Sequence, residues 1–309
     1  MVGAGVVGLS SAIRLAEAGH PVDVLARDLP LETTSATAGG LWLPYLAEPT
    51  DAVTQWAQVT LLALLELADS AADVGVVLRD GYLLGRGHSP PDWSEGLKQI
   101  ELTAVARPTP QHDHGWHLRV PLIDMTRYLP YLVRRLKAAG GTLTRLPLTA
   151  LPRRGLVVNC TGLASRALAG DPSMWPVRGQ VVWMTNPGLT TWWSDESDPQ
   201  QPTHVLPHAG HVVVGGTAEA DNWSMTPVDD ITTQIVERAR TLVPALRSAS
   251  VTSQRVGLRP ARPTVRLETV HGPENTVVHC YGHGGCGVTL SWGCADDVLA
   301  AVDRIVAGS

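Results

Sequence analysis

The chain opens with a short apolar segment that changes at once into a helical pattern. Apolar residues recur at helical spacing over 9–18, and Gly19 follows them as a glycine commonly follows the last turn of a helix. Residues 21–26 then alternate as a strand does, which completes a β-α-β unit of ordinary length. Such a unit favours an α/β fold.

The rest of the chain switches between helical and strand-like patterns. Helical spacing predicts further helices over 55–72, over 124–139, over 229–243 and from the last glycine-rich run to about 306. Short apolar runs predict strands at 156–160, 178–184, 204–206, 211–214, 250–257, 264–270 and 276–281.

Three further stretches are interpreted from their turn residues. Residues 76–84 alternate around Asp80-Gly81, which predicts a hairpin. The Pro-, Gly- and His-rich stretch 86–117 is predicted to form loops around a short helix. The polar stretch 186–202 is predicted to be a mobile connection.

Composition narrows the class of protein. The 309 residues, 44% hydrophobic and 17% charged, suffice for one large or two ordinary domains of a globular protein. A formal charge of −5 gives no indication of a nucleic-acid surface. No apolar stretch reaches the ~18 residues of a membrane span, and the apolar start lacks the basic segment of a signal peptide. We therefore expect neither a nucleic-acid partner nor a membrane partner.

The cysteines and histidines give no sign of a metal or disulfide framework. Cysteines without C-x-x-C spacing or a secreted pattern predict reduced thiols and a cytoplasmic protein; they are Cys160, Cys280, Cys286 and Cys294. Cys286 and Cys294 are interpreted as packed thiols. His112, His114 and His117 have the spacing of metal ligands but lie in a Pro-rich stretch without a second cluster, so no metal site is predicted.

The first motif that carries chemistry is Gly3-x-Gly5-x-x-Gly8. The first glycine allows a tight turn, the second a close approach of backbone to a pyrophosphate, and the third close packing of helix on sheet. Asp28 stands about 20 residues past the loop, where an acidic residue binds an adenosine ribose. Small residues at this spacing also serve ordinary packing, and Asp28 could be a solvated strand end. The motif alone therefore leaves dinucleotide binding open.

Further motifs make the interpretation more specific. In chain order they are GAGVVGLSSA, TTSATAGGLWLPY, NCTG, RGQVV, VVVGGT, VGLRPARPTVRLE and YGHGGCGVTLSWGCA. Together they cover essentially the whole chain, and it resembles the FAD-dependent D-amino-acid oxidase family of the bacterial type with a short lid loop. GLRPARP, YGHGG and WGCA are the most specific of these motifs.

The resemblance implies an α/β fold in which a Rossmann-type FAD-binding domain is interleaved with an α+β substrate domain on an antiparallel sheet. The FAD-binding domain would comprise 1–55, 140–185 and 255–309, and the substrate-binding domain 56–139 and 186–254. The family has a longer apolar first strand, whereas only Met1 and Val2 precede Gly3 here. Two residues are too few to complete a ladder within a parallel sheet, so we expect that the sequence begins late or that the cofactor domain is weakened.

The resemblance also implies the cofactor, FAD, and the residues that hold it. The glycine loop would bind the pyrophosphate, and residues 34 and 35 the phosphates. Residues 39–41 would face the flavin ring, and the second glycine run (282–287, in YGHGGCG) the flavin's pyrimidine edge. The cofactor-binding residues implied are Ala4, Gly5, Val6, Val7, Gly8, Arg27, Asp28, Thr34, Ser35, Gly39, Gly40, Leu41, Leu148, Thr161, Gly284, Gly285, Gly287, Val288 and Thr289.

Three residues match positions that contact the substrate in the family. Arg259, in GLRP, matches the arginine that binds the substrate carboxylate, where a planar guanidinium meets both oxygens. Gly285 matches the residue whose carbonyl accepts a hydrogen bond from the substrate amino group. His204 stands where well-studied members have a tyrosine; it could donate to the carboxylate, strongly if charged, or be an ordinary strand histidine. Trp42, Leu43 and Tyr45 are candidates for the side-chain pocket.

The implied reaction is the oxidative deamination of a D-amino acid. Hydride passes from the α-carbon to flavin N5, the imino acid hydrolyses to a 2-oxo acid and ammonia, and oxygen reoxidises the flavin to give hydrogen peroxide. The apolar pocket favours neutral side chains over D-aspartate, for which His204 or Arg178 would have to supply a cation.

Alternatives stay open at this point. They are a D-aspartate or glycine oxidase of the same superfamily, and a catalytically impaired flavin-binding relative. An NAD-dependent dehydrogenase fits the first glycine loop alone and leaves YGHGG and GLRPARP unexplained. The family often dimerises, so a homodimer is open as well.

Overall fold

The computed structural model describes residues 1–44, 47–70, 74–85, 87–94, 97 and 99–308. The helices are α1 (Val6–Glu17), α2 (Thr50–Asp69), α3 (Met125–Ala138), α4 (Ser165–Leu168), α5 (Asp229–Leu242) and α6 (Gly287–Ala307). The strands are β1 (Asp23–Ala26), β2 (Val76–Leu84), β3 (Thr103–Thr109), β4 (His112–Ile123), β5 (Thr142–Arg145), β6 (Gly155–Asn159), β7 (Trp175–Thr185), β8 (Trp192–Asp195), β9 (Thr203–Pro207), β10 (His211–Gly215), β11 (Glu219–Ala220), β12 (Val251–His271) and β13 (Asn275–His283).

Most of these strands form one mixed sheet. Its order is β3-β4-β2-β8-β9-β10-β7-β12-β13-β6, and β11 pairs with β7. The pairs β6–β13 and β2–β8 are parallel, the other neighbours are antiparallel, and β1 and β5 form a separate parallel pair. This α/β architecture confirms the predicted fold class. The division into two domains stays a prediction, because one hydrogen-bonded sheet runs through both of the predicted units.

The first residues lie between the two sheets and bridge them. The Val2 amide donates to the Val158 carbonyl (2.8 Å), and the Val2 carbonyl accepts from the Cys160 amide (2.8 Å). On the other side, the Leu25 amide donates to the Met1 carbonyl (3.0 Å). Val2 thus forms isolated parallel bridges to Leu25 and to Asn159, and the expectation about the short first strand stays a prediction.

The last helix lies at the centre of the helical layer. α6 packs against α1 on one side and crosses α2 on the other. A Cβ at Gly293 would overlap the backbone of Trp56, so the glycine permits the close crossing. The hydroxyl of Thr60 accepts from the amides of Trp292 (3.1 Å) and Gly293 (3.0 Å), which fixes the register of the two helices. A second apolar cluster lies between α5 and strands β7, β9 and β10.

The predicted hairpin at Asp80-Gly81 is wrong, because β2 runs straight through these residues. Gly81 serves a different purpose. The indole of Trp192 lies against it, and a Cβ at this position would overlap the ring. The glycine therefore marks a close side-chain approach rather than a turn.

The predicted loops contain strands. β3 and the first half of β4 lie within 86–117 at one end of the sheet, and β8 lies within 186–202. Most side chains of β3 are exposed, so its sequence lacks the apolar alternation of a half-buried strand. The strands predicted at 250–257 and 264–270 form the single strand β12, which pairs with both β7 and β13. Within the described part of the chain, no helix combines the length and apolar character needed to cross a bilayer.

Candidate active site

A cavity of about 1500 Å³ brings the two ends of the chain together. Its wall includes the first glycine loop, the segment 33–41, residues 257–262 of β12 and the second glycine run. Every predicted cofactor-binding residue lines this cavity, as do Arg259, Gly285, His204 and Leu43. Tyr45 lies outside the described residues. Trp42 does not line the cavity: its side chain is fully buried and its indole N–H donates to the Ala57 carbonyl (3.2 Å).

The first glycine loop is tightly built against the end of β6. Gly3 has a φ of +108°, and a Cβ there would overlap the carbonyl of Cys160. A Cβ at Gly8 would overlap the carbonyl of Gly3, so only glycine lets α1 start this close to the strand. The amide of Val6, at the start of α1, donates to the Ser35 hydroxyl (3.0 Å). Backbone amides and a serine hydroxyl thus meet at one helix N-terminus, the arrangement that binds phosphates.

The residues predicted near the adenosine end lie at one side of the same cavity. Arg27 and Asp28 follow β1 and pair with each other, with Arg27 Nη2 2.6 Å from Asp28 Oδ2. Leu148 packs on a small apolar cluster that includes Val2. The Thr161 hydroxyl and amide both donate to the side-chain oxygen of Asn159 (2.8 and 3.1 Å), which fixes the end of β6. A ribose contact of Asp28 stays a prediction.

The segment that precedes Leu43 is held from two directions. The carbonyl of Gly39 accepts from His208 Nε2 (3.1 Å), and Thr289 Oγ1 donates to the Leu43 carbonyl (3.1 Å). Burial is the main cause that lowers the pKa of His208 to about 4. Sequence reasoning missed His208, because its role depends on a contact between residues far apart in the chain.

The second glycine run turns from β13 into α6. The amide of Gly284 donates to the carbonyl of Pro260 (2.8 Å), which fastens the loop to β12 beside Arg259. A Cβ at Gly284 would meet no atom within 4 Å, and one at Gly287 would only touch valines of α1. The Cys286 side chain does not cap α6, so the first amides of this long helix are left to the cavity.

Arg259 lies flat against the neighbouring strand. Its Nη1 donates to the carbonyl of Thr217 (2.9 Å). The guanidinium covers Gly179 of β7, where a Cβ would lie 2.6 Å from three of its atoms. Gly179, the glycine of the RGQVV motif, therefore leaves room for the Arg259 guanidinium against β7. Sequence reasoning assigned no role to Gly179.

His204 lies on the same face of the sheet, three strands from Arg259. It is paired with Gly215, and a Cβ at that glycine would lie 2.5 Å from His204 Nε2. Burial lowers the pKa of His204 to about 4, and the charges of Arg259 and Arg238 act in the same direction. With this pKa the His204 ring is neutral near pH 7, which disfavours the charged donor among the alternatives left open, and a substrate contact of His204 stays a prediction.

Arg178 is also corrected as a second cation for the substrate. It is 1% exposed, forms an ion pair with Glu219 (2.6 Å) and donates to Gln180 (2.9 Å). Although it neighbours Arg259 in the sheet, its side chain lies on the opposite face and does not line the cavity.

These residues fit FAD. The cavity volume exceeds the 300–1,000 Å³ typical of sites for small ligands, as an extended dinucleotide requires. The N-termini of two helices and several glycines face the cavity. Because glycine has no side chain, backbone amides can closely approach phosphates and a flat ring there. Arg259 lies at the far side of this wall beside the second glycine run, and Arg262, which pairs with Asp171, also lines the cavity there.

Comparisons with known proteins agree with this geometry. The model of the family described as FAD dependent oxidoreductase matches residues 1–301. The chain is 43% identical to a D-amino-acid oxidase of Rubrobacter xylanophilus, over 97% of this chain and 94% of that protein. It is 35% identical to the human D-aspartate oxidase, over 99% and 94%. A solved structure of glycine oxidase from Bacillus cereus superposes with a TM-score of 0.81 at 19% identity, covering 98% of this chain and 94% of that one.

Proposed function

Since the chain belongs to the FAD dependent oxidoreductase family, we propose that it is an oxidase that deaminates D-amino acids with neutral, apolar side chains. The products would be a 2-oxo acid, ammonia and hydrogen peroxide. One observation carries the proposal: Arg259, Gly285 and His204 share a single cavity with every residue predicted to bind FAD.

Arg259 is proposed to bind the substrate carboxylate. A guanidinium offers two parallel N–H groups to the two carboxylate oxygens and stays charged at every relevant pH. The position of Arg259 against Gly179 and Thr217 supports this role, because the side chain is held before any substrate arrives.

Gly285 is proposed to accept a hydrogen bond from the substrate amino group through its carbonyl. Two fixed points, the carboxylate at Arg259 and the amine at Gly285, together with the pocket for the side chain, set the position of the α-hydrogen. When bound, FAD would supply the acceptor for the hydride, which carries both electrons that leave this carbon. The protein's contribution is therefore alignment of a neutral amine rather than proton transfer by a side chain.

The state of the two candidate cations supports the preference for neutral side chains. A D-aspartate side chain needs a second cation, and the candidates were His204 and Arg178. The first is held neutral, and the second is buried in an ion pair on the other face of the sheet. Leu43, Val181 and Leu206 give the cavity wall an apolar surface instead.

The decisive measurement is peroxide release across D-alanine, D-valine, D-aspartate, glycine and L-amino acids. We expect D-valine or D-alanine to be oxidised fastest and L-amino acids not at all. Fastest turnover of D-aspartate or of glycine would replace the proposal by the corresponding oxidase.

A second measurement separates an active oxidase from an impaired flavin-binding relative. The purified yellow protein should lose its visible flavin absorption when D-valine is added without oxygen. An unchanged spectrum with intact bound FAD would favour the impaired relative.

We further propose oxygen as the electron acceptor and the cytoplasm as the compartment. The cysteines, all described and all buried, carry free thiols, which supports a reducing environment. Light scattering of the holoenzyme tests the homodimer that the resemblance leaves open.

A further inference from the structure

A group of buried metal-ligating atoms lies beneath the second glycine run. Cys280 is on β13, His283 ends the same strand, and Cys294 is on α6. One ligand atom from each lies within 4.8 Å of the others. The side chains are 0–4% exposed, so the cluster is part of the protein interior. No local sequence pattern predicts this cluster, because the two cysteines meet only where α6 packs back against the strand.

The distances match tetrahedral coordination. Zinc binds sulfur at about 2.3 Å and nitrogen at about 2.0 Å, so tetrahedral geometry places the N and S ligands of one ion about 3.5 Å apart. His283 Nε2 lies 3.5 Å from Cys294 Sγ and 3.9 Å from Cys280 Sγ. Two sulfurs thus already surround one imidazole nitrogen at nearly the spacing that a bound ion would impose.

A third sulfur lies next to the cluster, and part of the cluster borders the cavity. The thiol of Cys160 contacts that of Cys280, which raises the pKa of the Cys160 thiol together with burial. Cys160, Cys280 and His283 line the large cavity, whereas Cys294 lies behind them. The cluster therefore lies at the boundary between the cavity and the core.

We propose that Cys280, His283 and Cys294 form a site for a thiophilic divalent cation of the zinc class, with Cys160 the nearest further ligand. Binding releases the two thiol protons of Cys280 and Cys294 to solvent and forms two metal–sulfur bonds and one metal–nitrogen bond, with no change of oxidation state. The ion ties β13 to α6 directly under the glycine run. This inference does not depend on the proposed substrate.

The test is titration of the chelator-treated holoenzyme with Co²⁺. We expect one ion per chain and the ligand-field absorption of tetrahedral, thiolate-bound cobalt, at longer wavelengths than oxidised flavin absorbs. Added Zn²⁺ should remove this absorption. Cys280→Ser and Cys294→Ser should weaken binding by more than the roughly 10–100-fold that loss of an outer-shell partner costs.

Cys286→Ser is the matched control. Cys286 is equally buried, at 1% exposed, and starts the same helix, but it does not belong to the cluster. Its variant should bind cobalt as the unchanged protein does. Retained FAD content and helical circular dichroism would show that each variant is folded.

Two results would overturn the proposal. One is the absence of tetrahedral cobalt absorption in the unchanged holoenzyme. The other is absorption that survives Cys280→Ser or Cys294→Ser. If both variants fail to fold, X-ray absorption of the zinc-loaded natural chain decides: a shell of two sulfurs and one nitrogen, or of three sulfurs and one nitrogen if Cys160 joins, is expected. A shell without sulfur contradicts the site.

Discussion

The two faces of strands β7 and β12 carry arginines of opposite character. Arg178 and Arg259 differ by one step in the register of these strands. Arg178 points towards α5, where Glu219, Gln180 and the carbonyls of Ser224 and Thr226 surround its guanidinium. Arg259 points into the cavity and rests on a glycine. The alternation of side chains along the strands thus places Arg178, which stabilises the fold, and Arg259, which faces the cavity, on opposite faces of the sheet.

The largest expected effect is on the cavity face. Arg259→Met removes charge-assisted hydrogen bonds worth about 1.5–3 kcal/mol each, so kcat/KM for D-valine should fall by about 1,000-fold. Steady-state peroxide assays give this value, and thermal unfolding should change little. Arg259→Lys keeps the charge without the planar fork and should be intermediate. An Arg259→Met enzyme with unchanged kcat/KM would remove Arg259 from the substrate site.

The opposite face should respond in stability rather than in kinetics. Arg178→Met leaves Glu219 without its ion-pair partner and should lower the free energy of unfolding by about 3 kcal/mol. Denaturant unfolding measures this loss. The kcat/KM of the folded enzyme should stay near that of the unchanged protein. A kinetic loss as large as that of Arg259→Met would show that the two faces are not separable.

A smaller effect is expected from the glycine beneath Arg259. Gly179→Ala places a methyl group 2.6 Å from the guanidinium, and the flexible side chain must move. Displacement of a positioning group by about 1 Å can cost up to about 100-fold, so we expect kcat/KM to fall 10- to 100-fold. Gly210→Ala is the control, because a Cβ there meets no atom within 4 Å. Equal kcat/KM values for both variants would contradict the proposal that Gly179 positions the Arg259 guanidinium.

The smallest effect is expected from the charge of His204. Because its pKa is lowered to about 4, the ring is already neutral over the range from about pH 6 to 9. KM should therefore show no His204-dependent change in this range. Protonation of His204 is disfavoured in the folded state. The free energy of unfolding should therefore decrease as pH falls from about 6.5, the pKa of His204 in the unfolded chain, towards 4.

His204→Gln tests both statements in one variant. Its KM profile against pH should run parallel to that of the unchanged protein, and its unfolding free energy should fall less on acidification. A KM that rises through neutral pH in the unchanged protein and stays flat in His204→Gln would mean that the histidine binds as a cation.

Local patterns predicted those parts of the fold that local chemistry determines. The α1 pattern and the Asp124 N-cap of α3 are confirmed, since helix spacing and capping depend on neighbouring residues. Gly81 was misinterpreted, because a glycine that admits Trp192 and a glycine that makes a turn look alike in sequence. Strand β3 was not predicted, because its sequence lacks an alternation of apolar and polar residues.

The candidate site was likewise predicted only in part. Motifs identified residues of the cavity wall, including Arg259, but not the residues that position them. Gly179, His208 and the cluster of Cys280, His283 and Cys294 act through contacts between distant segments. The charge state of His204 depends on burial and on two arginines from other elements, which no local pattern displays.

The bridge at Val2 has a consequence for biosynthesis. During synthesis Val2 cannot pair with β6 until about residue 159 has been made, and α1 cannot be covered by α6 until α6 follows. Contacts this distant in sequence slow folding, because a long loop must close before they stabilise anything. A nascent chain that stops before Gly287 lacks one wall of the cavity. The complete cavity wall therefore exists only after the last part of the chain, from the second glycine run onward, has been synthesised.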